Sequence, residues 1–203
     1  GGTCVNRGCI PTKVWQHSAG LLYNLRRASE FGIKAVVEEL DLSAVVARKN
    51  GVAGDIRMGM EGLLGNNGVE VVRGHAVLKN AQEIDVDGTV LETRKTIIAT
   101  GSRLDIPDIP GLEEAVLTTD QFMDIDRIPT SVLVLESNPM AVEIANTLSV
   151  FGSKVYIITK NSRILAHEDH DTSQRIAQSL REQGVELFLK YTIDGIRPSQ
   201  NGF

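Results

Sequence analysis

Aromatic side chains are scarce in this chain, 4% of residues with a single tryptophan, so unpaired bases would find little to stack on. Excess positive charge is missing too. Lys and Arg number 21 against 26 Asp and Glu, a formal charge of −5. A phosphate backbone is bound by clustered cations, so no nucleic-acid partner is expected. No apolar run approaches the length of a membrane span, and the first residues carry no charged-then-apolar signal pattern. The expected setting is therefore the cytoplasm, with no membrane partner. Cysteine is almost absent: Cys4 and Cys9 are the whole supply, and no second pair exists to complete a four-ligand zinc site.

What is present describes a globular protein. The chain has 203 residues, 42% hydrophobic and 23% charged, enough for one or two domains with a core. It starts at Gly1-Gly2-Thr3-Cys4 without a methionine and stops at Gln200-Asn201-Gly202-Phe203, and reads as an internal piece of a longer polypeptide.

Hydrophobic spacing predicts a helix over Ile10 to Phe31, stopped at Gly32, and a second over Leu42 to Leu64 with Asp41 as its cap. Four glycines (Gly51, Gly54, Gly59 and Gly62) interrupt the second. The period then shortens. Val69 to Val72, Ala76 to Leu78, Glu83 to Val86 and Thr89 to Leu91 read as short strands around an Asp87-Gly88 hairpin. Lys95 to Thr100 reads as a buried strand, and residues 103–130, with Pro107, Pro110 and Pro129, as a linker. From Ser131 a strand–helix–strand–helix–strand order follows, with helices over Ala141 to Phe151 and Thr172 to Gln183. That order implies a parallel sheet.

The informative segment is Gly1-Gly2-Thr3-Cys4-Val5-Asn6-Arg7-Gly8-Cys9-Ile10-Pro11-Thr12-Lys13. Two cysteines five apart at the opening of a helix can approach closely enough to bond. A helix N-terminus supplies unpaired N–H groups and positive potential, which favour thiolate. Lys13 lies four residues beyond Cys9, on the same face. A structural disulfide, a zinc site and two unrelated buried cysteines compete with a redox pair. A bridge closing so short a loop stabilises little, and such bridges are rare in the cytoplasm.

This segment resembles the redox-active signature of the pyridine nucleotide-disulfide oxidoreductases, most closely the dihydrolipoamide dehydrogenase branch, through its Cys9-Ile10-Pro11 ending. The resemblance implies an α/β chain: part of an FAD-binding Rossmann-like domain over residues 1–127, then the start of an NAD(P)-binding Rossmann-like domain over residues 128–203. It implies that Cys4 is the interchange thiol toward a small-molecule or lipoyl-type disulfide substrate. Cys9 is then the thiol facing the flavin in a charge-transfer complex, and Lys13 sits near the flavin's reactive edge. Gly2 and Thr3 would lie against the cofactor, the Gly74-His75-Ala76 stretch would contact its adenine end, and Thr100-Gly101-Ser102 would close over it. Electrons would pass between NAD or NADP, FAD and the cysteines in a homodimeric enzyme. The resemblance also places an FAD fingerprint before Gly1 and a catalytic His-Glu pair after Phe203. None of His17, His75, His167 or His170 takes that histidine's role, and the piece by itself is expected to bind FAD poorly and to be inactive.

The sequence departs from the pattern at one place. A dinucleotide turn of the form G-x-G-x-x-G/A is expected after Leu135, but Glu136 and Asn138 stand where its first two glycines belong. Ala141 and Glu143 suit the pattern. Lys160, at the end of the next strand, suits either a 2′-phosphate or plain solvation. A turn so altered also admits a non-catalytic relative, kept as a binding or assembly component, or a thiol–disulfide module with another electron donor. The run His167-Glu168-Asp169-His170-Asp171 is read as a solvated helix start, since adjacent ligands point different ways.

Overall fold

A computed structural model describes residues 2–198. The chain opens with a short helix α1 (Gly2–Asn6) and a long one, α2 (Cys9–Arg26). Pro11 is tolerated in α2 because first-turn N–H groups have no acceptor inside the helix. The predicted helix to Phe31 ends earlier, at Arg26. Its last residues form a 3₁₀ turn, Ala28–Phe31, closed by Gly32 in the left-handed region at φ 77°.

Helix α3 (Leu42–Asn66) starts where Asp41 predicts, with the Asp41 carboxylate accepting from the Ala44 N–H at 3.0 Å. A hydrogen bond from the Ser43 hydroxyl, with the Ala44 bond second, holds the Asp41 carboxyl below the usual carboxylate range. The four glycines do not break α3, because its first half is fastened from outside: Leu42, Val45, Lys49 and Ala53 are buried on one face, against α2.

Lys49 is the unusual member of that face. Its side chain is 4% exposed and its Nζ lies 2.5 Å from Asp124 Oδ1, whose side chain is 64% exposed. Removing the carboxylate leaves a buried ammonium unpaired. D124A is expected to cost about 1–3 kcal/mol, at the low end because water reaches the site, and K49M added to it to recover part of the loss. Urea midpoints of the two variants check this; an unmoved D124A midpoint would show that water alone satisfies Lys49.

Strands β1 (Ala76–Leu78), β2 (Glu83–Val86) and β3 (Thr89–Glu92) form an antiparallel meander. Asp87 and Gly88, at φ 48° and 92°, make its tight turn, with Val86 opposite Thr89. The strands expected over Val69 to Val72 and Lys95 to Thr100 are not formed. Those segments are irregular, and Ile97 and Ile98 are 92% and 68% exposed rather than buried. A strand is held by its neighbours, and no described strand lies beside either segment.

The expected linker is partly core. Short helices α4 (Leu112–Ala115) and α5 (Thr119–Phe122) bury Leu112 and Phe122, and Met123 follows at 2% exposed. A capping box between Thr118 and Gln121 starts α5. Beyond it, β4 (Ser131–Leu135), α6 (Pro139–Phe151), β5 (Lys154–Thr159), α7 (His170–Glu182) and β6 (Glu186–Leu189) alternate as predicted. The strands are parallel in the order β4-β5-β6, with Val132 opposite Val155 and Ile157 opposite Leu187. At the start of α7 the Asp169 carboxylate accepts from the Asp171 and Thr172 N–H groups, and His167 to Asp171 are all exposed.

One apolar core joins both halves of the chain. Helix α2 packs on α6, and Trp15, fully buried, has its ring 5.1 Å from that of Phe122 and 5.7 Å from that of Phe151.

Candidate active site

Cys4 sits on α1 and Cys9 is the first residue of α2; their Cα atoms are 4.6 Å apart and their sulfurs are joined in a disulfide. Both cysteines are exposed, whereas Val5 and Gly8 beside them are buried. Gly8 lets the two helices meet: a Cβ there would stand 3.3 Å from the Thr3 carbonyl oxygen. The loop is held by backbone and side chains together. The Arg7 N–H donates to the Thr3 carbonyl at 2.8 Å, and the Gly2 carbonyl accepts from the Asn6 amide at 2.8 Å. Arg57 of α3 reaches Asn6 Oδ1 at 2.9 Å, and Arg7 pairs with Asp120 of α5 at 2.9 Å. An 18-residue helix with Cys9 at its N-terminus stabilises a thiolate there.

Lys13, one turn on, donates to Gln16 Oε1 at 2.9 Å and pairs with Glu143 Oε1 of α6 at 2.6 Å. The sequence pattern places Glu143 at the nucleotide turn; the fold brings it to the lysine beside the cysteines. No local signal announces a pair 130 positions apart. With 62% and 30% of the side chains exposed, the pair contributes little stability and serves to place charge.

The remaining expected flavin residues stand apart from this cluster. Gly74 precedes β1, and a Cβ there would lie 2.4 Å from Asp87 Oδ2. The Asp87 carboxylate accepts from the His75 N–H, and Ala76 begins β1. Thr100, Gly101 and Ser102 lie in exposed irregular chain, with Gly101 left-handed at φ 79°. Among the described residues no hydrogen bond joins these groups to the cysteines.

At the turn between β4 and α6, Glu136 adopts φ 76°, the left-handed conformation that a glycine would take without strain. Asn138 caps α6, its side-chain oxygen accepting from the Ala141 N–H at 2.9 Å, and Pro139 at the first helical position has no N–H. Ala141 is buried. Lys160 follows β5 with an exposed side chain and does not line the cavity at this turn. Of the four N–H groups that such a helix start presents, Pro139 lacks its own and that of Ala141 is taken, and with Glu136 beside them these residues fit a pyridine nucleotide poorly.

Comparison with known proteins identifies the family. A family profile described as "Pyridine nucleotide-disulphide oxidoreductase" matches residues 1–202. A dihydrolipoyl dehydrogenase of Acholeplasma laidlawii is 37% identical over 196 residues, covering 94% of this chain and 58% of that protein. A mercuric reductase of Bacillus cereus is 30% identical over 205 residues, covering all of this chain and 32% of that protein. The HOCl-induced flavoprotein disulfide reductase RclA from Escherichia coli superposes with a TM-score of 0.82 at 30% identity, over 99% of this chain and 43% of that one. The chain thus spans about half the length, or less, of these relatives. The profile spans nearly the whole chain, so the chain belongs to that family: it is a pyridine nucleotide-disulphide oxidoreductase sequence.

Proposed function

We propose that the chain is part of an FAD-dependent disulfide oxidoreductase of the dihydrolipoyl dehydrogenase kind, with residues 1–127 on the flavin side and 128–203 on the nucleotide side. The observation that carries this reading is the exposed Cys4–Cys9 disulfide held at the N-terminus of α2. Relatives that span the chain are named dihydrolipoyl dehydrogenases, which favours a lipoyl-type dithiol as substrate. A homodimer in the cytoplasm is the accompanying expectation; among the described residues no helix is long and apolar enough to cross a membrane.

The flavin residues fit their task in chemical kind. Gly101 has open space where a Cβ would stand, and the backbone N–H groups of 97–102 make no described hydrogen bond. An apolar ring with a polar rim suits such a surface. Gly2, Thr3, Lys13, Gly74, His75, Ala76, Thr100, Gly101 and Ser102 would hold the FAD, which supplies a two-electron acceptor beside the cysteines when bound.

The chain's own chemistry is thiol–disulfide exchange. A substrate thiolate attacks Cys4 Sγ, and Cys9 leaves as a thiolate that the start of α2 and the Lys13 ammonium stabilise. Arg7 and Asn6 keep the loop in place through Asp120 and Arg57 while the bond opens.

Anaerobic mixing of the full-length, flavin-loaded protein with dihydrolipoamide tests the proposal. Reduction of the cysteines with a change in flavin absorbance is the expected result. Cysteines that stay oxidised under excess dithiol would rule it out.

A further inference from the structure

We infer that the turn between β4 and α6 is closed to pyridine nucleotides, so that electrons enter and leave the Cys4–Cys9 pair through dithiol and disulfide partners at Cys4. The inference rests on the dithiol reading above.

Three observations meet at this turn. The first is conformational: Glu136 holds a glycine's backbone geometry while carrying an anionic side chain at the place where backbone and pyrophosphate would approach each other. The second concerns donors. Pro139 has none, the Ala141 N–H is taken by the Asn138 side chain, and the Val142 N–H bonds the Asn138 carbonyl at 3.1 Å. Among the described residues the Asn138 and Met140 N–H groups are left without an acceptor, so two donors remain of the four that the start of such a helix presents. The third is the space. The cavity beside the turn holds about 130 Å³, and Glu136 and Glu168 line it with no Lys or Arg among the lining residues. Sites for drug-sized ligands run from about 300 Å³ upward, and a dinucleotide is larger still. The Leu165 N–H donates to the Ser137 carbonyl at 2.9 Å and Ser137 is 2% exposed, so the loop that narrows the cavity is tied down.

With that route closed, both cysteines remain exposed to thiols. One thiolate of a dithiol donor attacks Cys4 Sγ; the Cys4–Cys9 bond breaks and Cys9 departs as thiolate. The donor's second sulfur then attacks its own sulfur bound to Cys4, closing the donor's disulfide and releasing the Cys4 thiolate. Two electrons pass to the protein's cysteines and two protons leave the donor for solvent. A disulfide acceptor takes the same two electrons by the reverse steps.

The test uses the full-length protein with its flavin bound. Calorimetric titrations with NADH and with NADPH run beside reduction of the cysteines by dihydrolipoamide, read by counting alkylatable thiols. The parent is expected to bind neither nucleotide below about 1 mM. The E136G/N138G double variant, which removes both side chains and relieves the strained backbone, is expected to bind at least about 100-fold tighter, and P139A by a smaller factor. Dihydrolipoamide reduces the pair in all of them. A micromolar affinity in the parent overturns the inference and leaves the dithiol reading standing. Variants that still bind nothing overturn the assignment of the closure to these side chains. Cysteines that dihydrolipoamide cannot reduce bring down the dithiol reading itself, whatever the nucleotide result.

Discussion

Replacing either Cys4 or Cys9 by serine in the full-length protein is expected to lower disulfide turnover by at least about 1000-fold, and the two variants are expected to fail differently. If Cys4 is the sulfur that exchanges with substrate, the Cys4 thiolate of C9S attacks a disulfide substrate, one substrate sulfur leaves as thiolate, and the thiol that would resolve the mixed disulfide is missing. C9S therefore accumulates substrate bound to Cys4, visible as added mass on the intact protein. On the same assignment C4S accumulates none, because Cys9 would face the flavin. The opposite pattern, an adduct on C4S alone, would exchange the two roles. Activity at the parent's level in both variants would mean the pair carries no electrons. Neither substitution should unfold the protein, since both side chains are exposed and the loop's hydrogen bonds run through Gly2, Thr3, Asn6 and Arg7.

The largest effect on stability is expected at Trp15. The indole is fully buried between Phe122 and Phe151, where α2, α5 and α6 converge. W15A should cost about 3–5 kcal/mol, a large share of what a domain has. W15F should cost about 2 kcal/mol, because it keeps a ring against both neighbours. It also removes a buried N–H that has no hydrogen-bond partner among the described residues. Denaturant midpoints followed by far-ultraviolet circular dichroism give both values. A W15A midpoint within about 1 kcal/mol of the parent would mean that the three helices are not held by this residue.

How much was legible beforehand differs from one part of the chain to another. The parallel unit is legible in its order and its helices, because the apolar runs from Ser131 on and the stripes of α6 and α7 state their periods locally. The Asp87-Gly88 hairpin was equally plain, since its turn chemistry lies within two residues. Lys95 to Thr100 misled for the opposite reason. Its composition suits a buried strand, but a strand forms only beside another, and no described strand adjoins it. Phe122 and Met123 looked like part of a proline-marked linker, yet they close the core, because burial depends on what α2 and α6 present to them.

By itself the sequence marked the cysteine pair, two cysteines at a helix start with glycines and Lys13 close by, and its resemblance to the family supplied the pair's expected role. Only the tertiary structure decided how that dithiol is framed and what stands across from it. It paired Lys13 with Glu143 and Arg7 with Asp120, and it set Trp15 between Phe122 and Phe151. The physical reason is one of range. Turn preference, capping and helix-terminal potential act within about one turn of chain, whereas ion pairs and shared cores depend on which distant surfaces the fold brings together. The Cys4–Cys9 bond lies within the first range, and the Lys13–Glu143 pair beside it within the second.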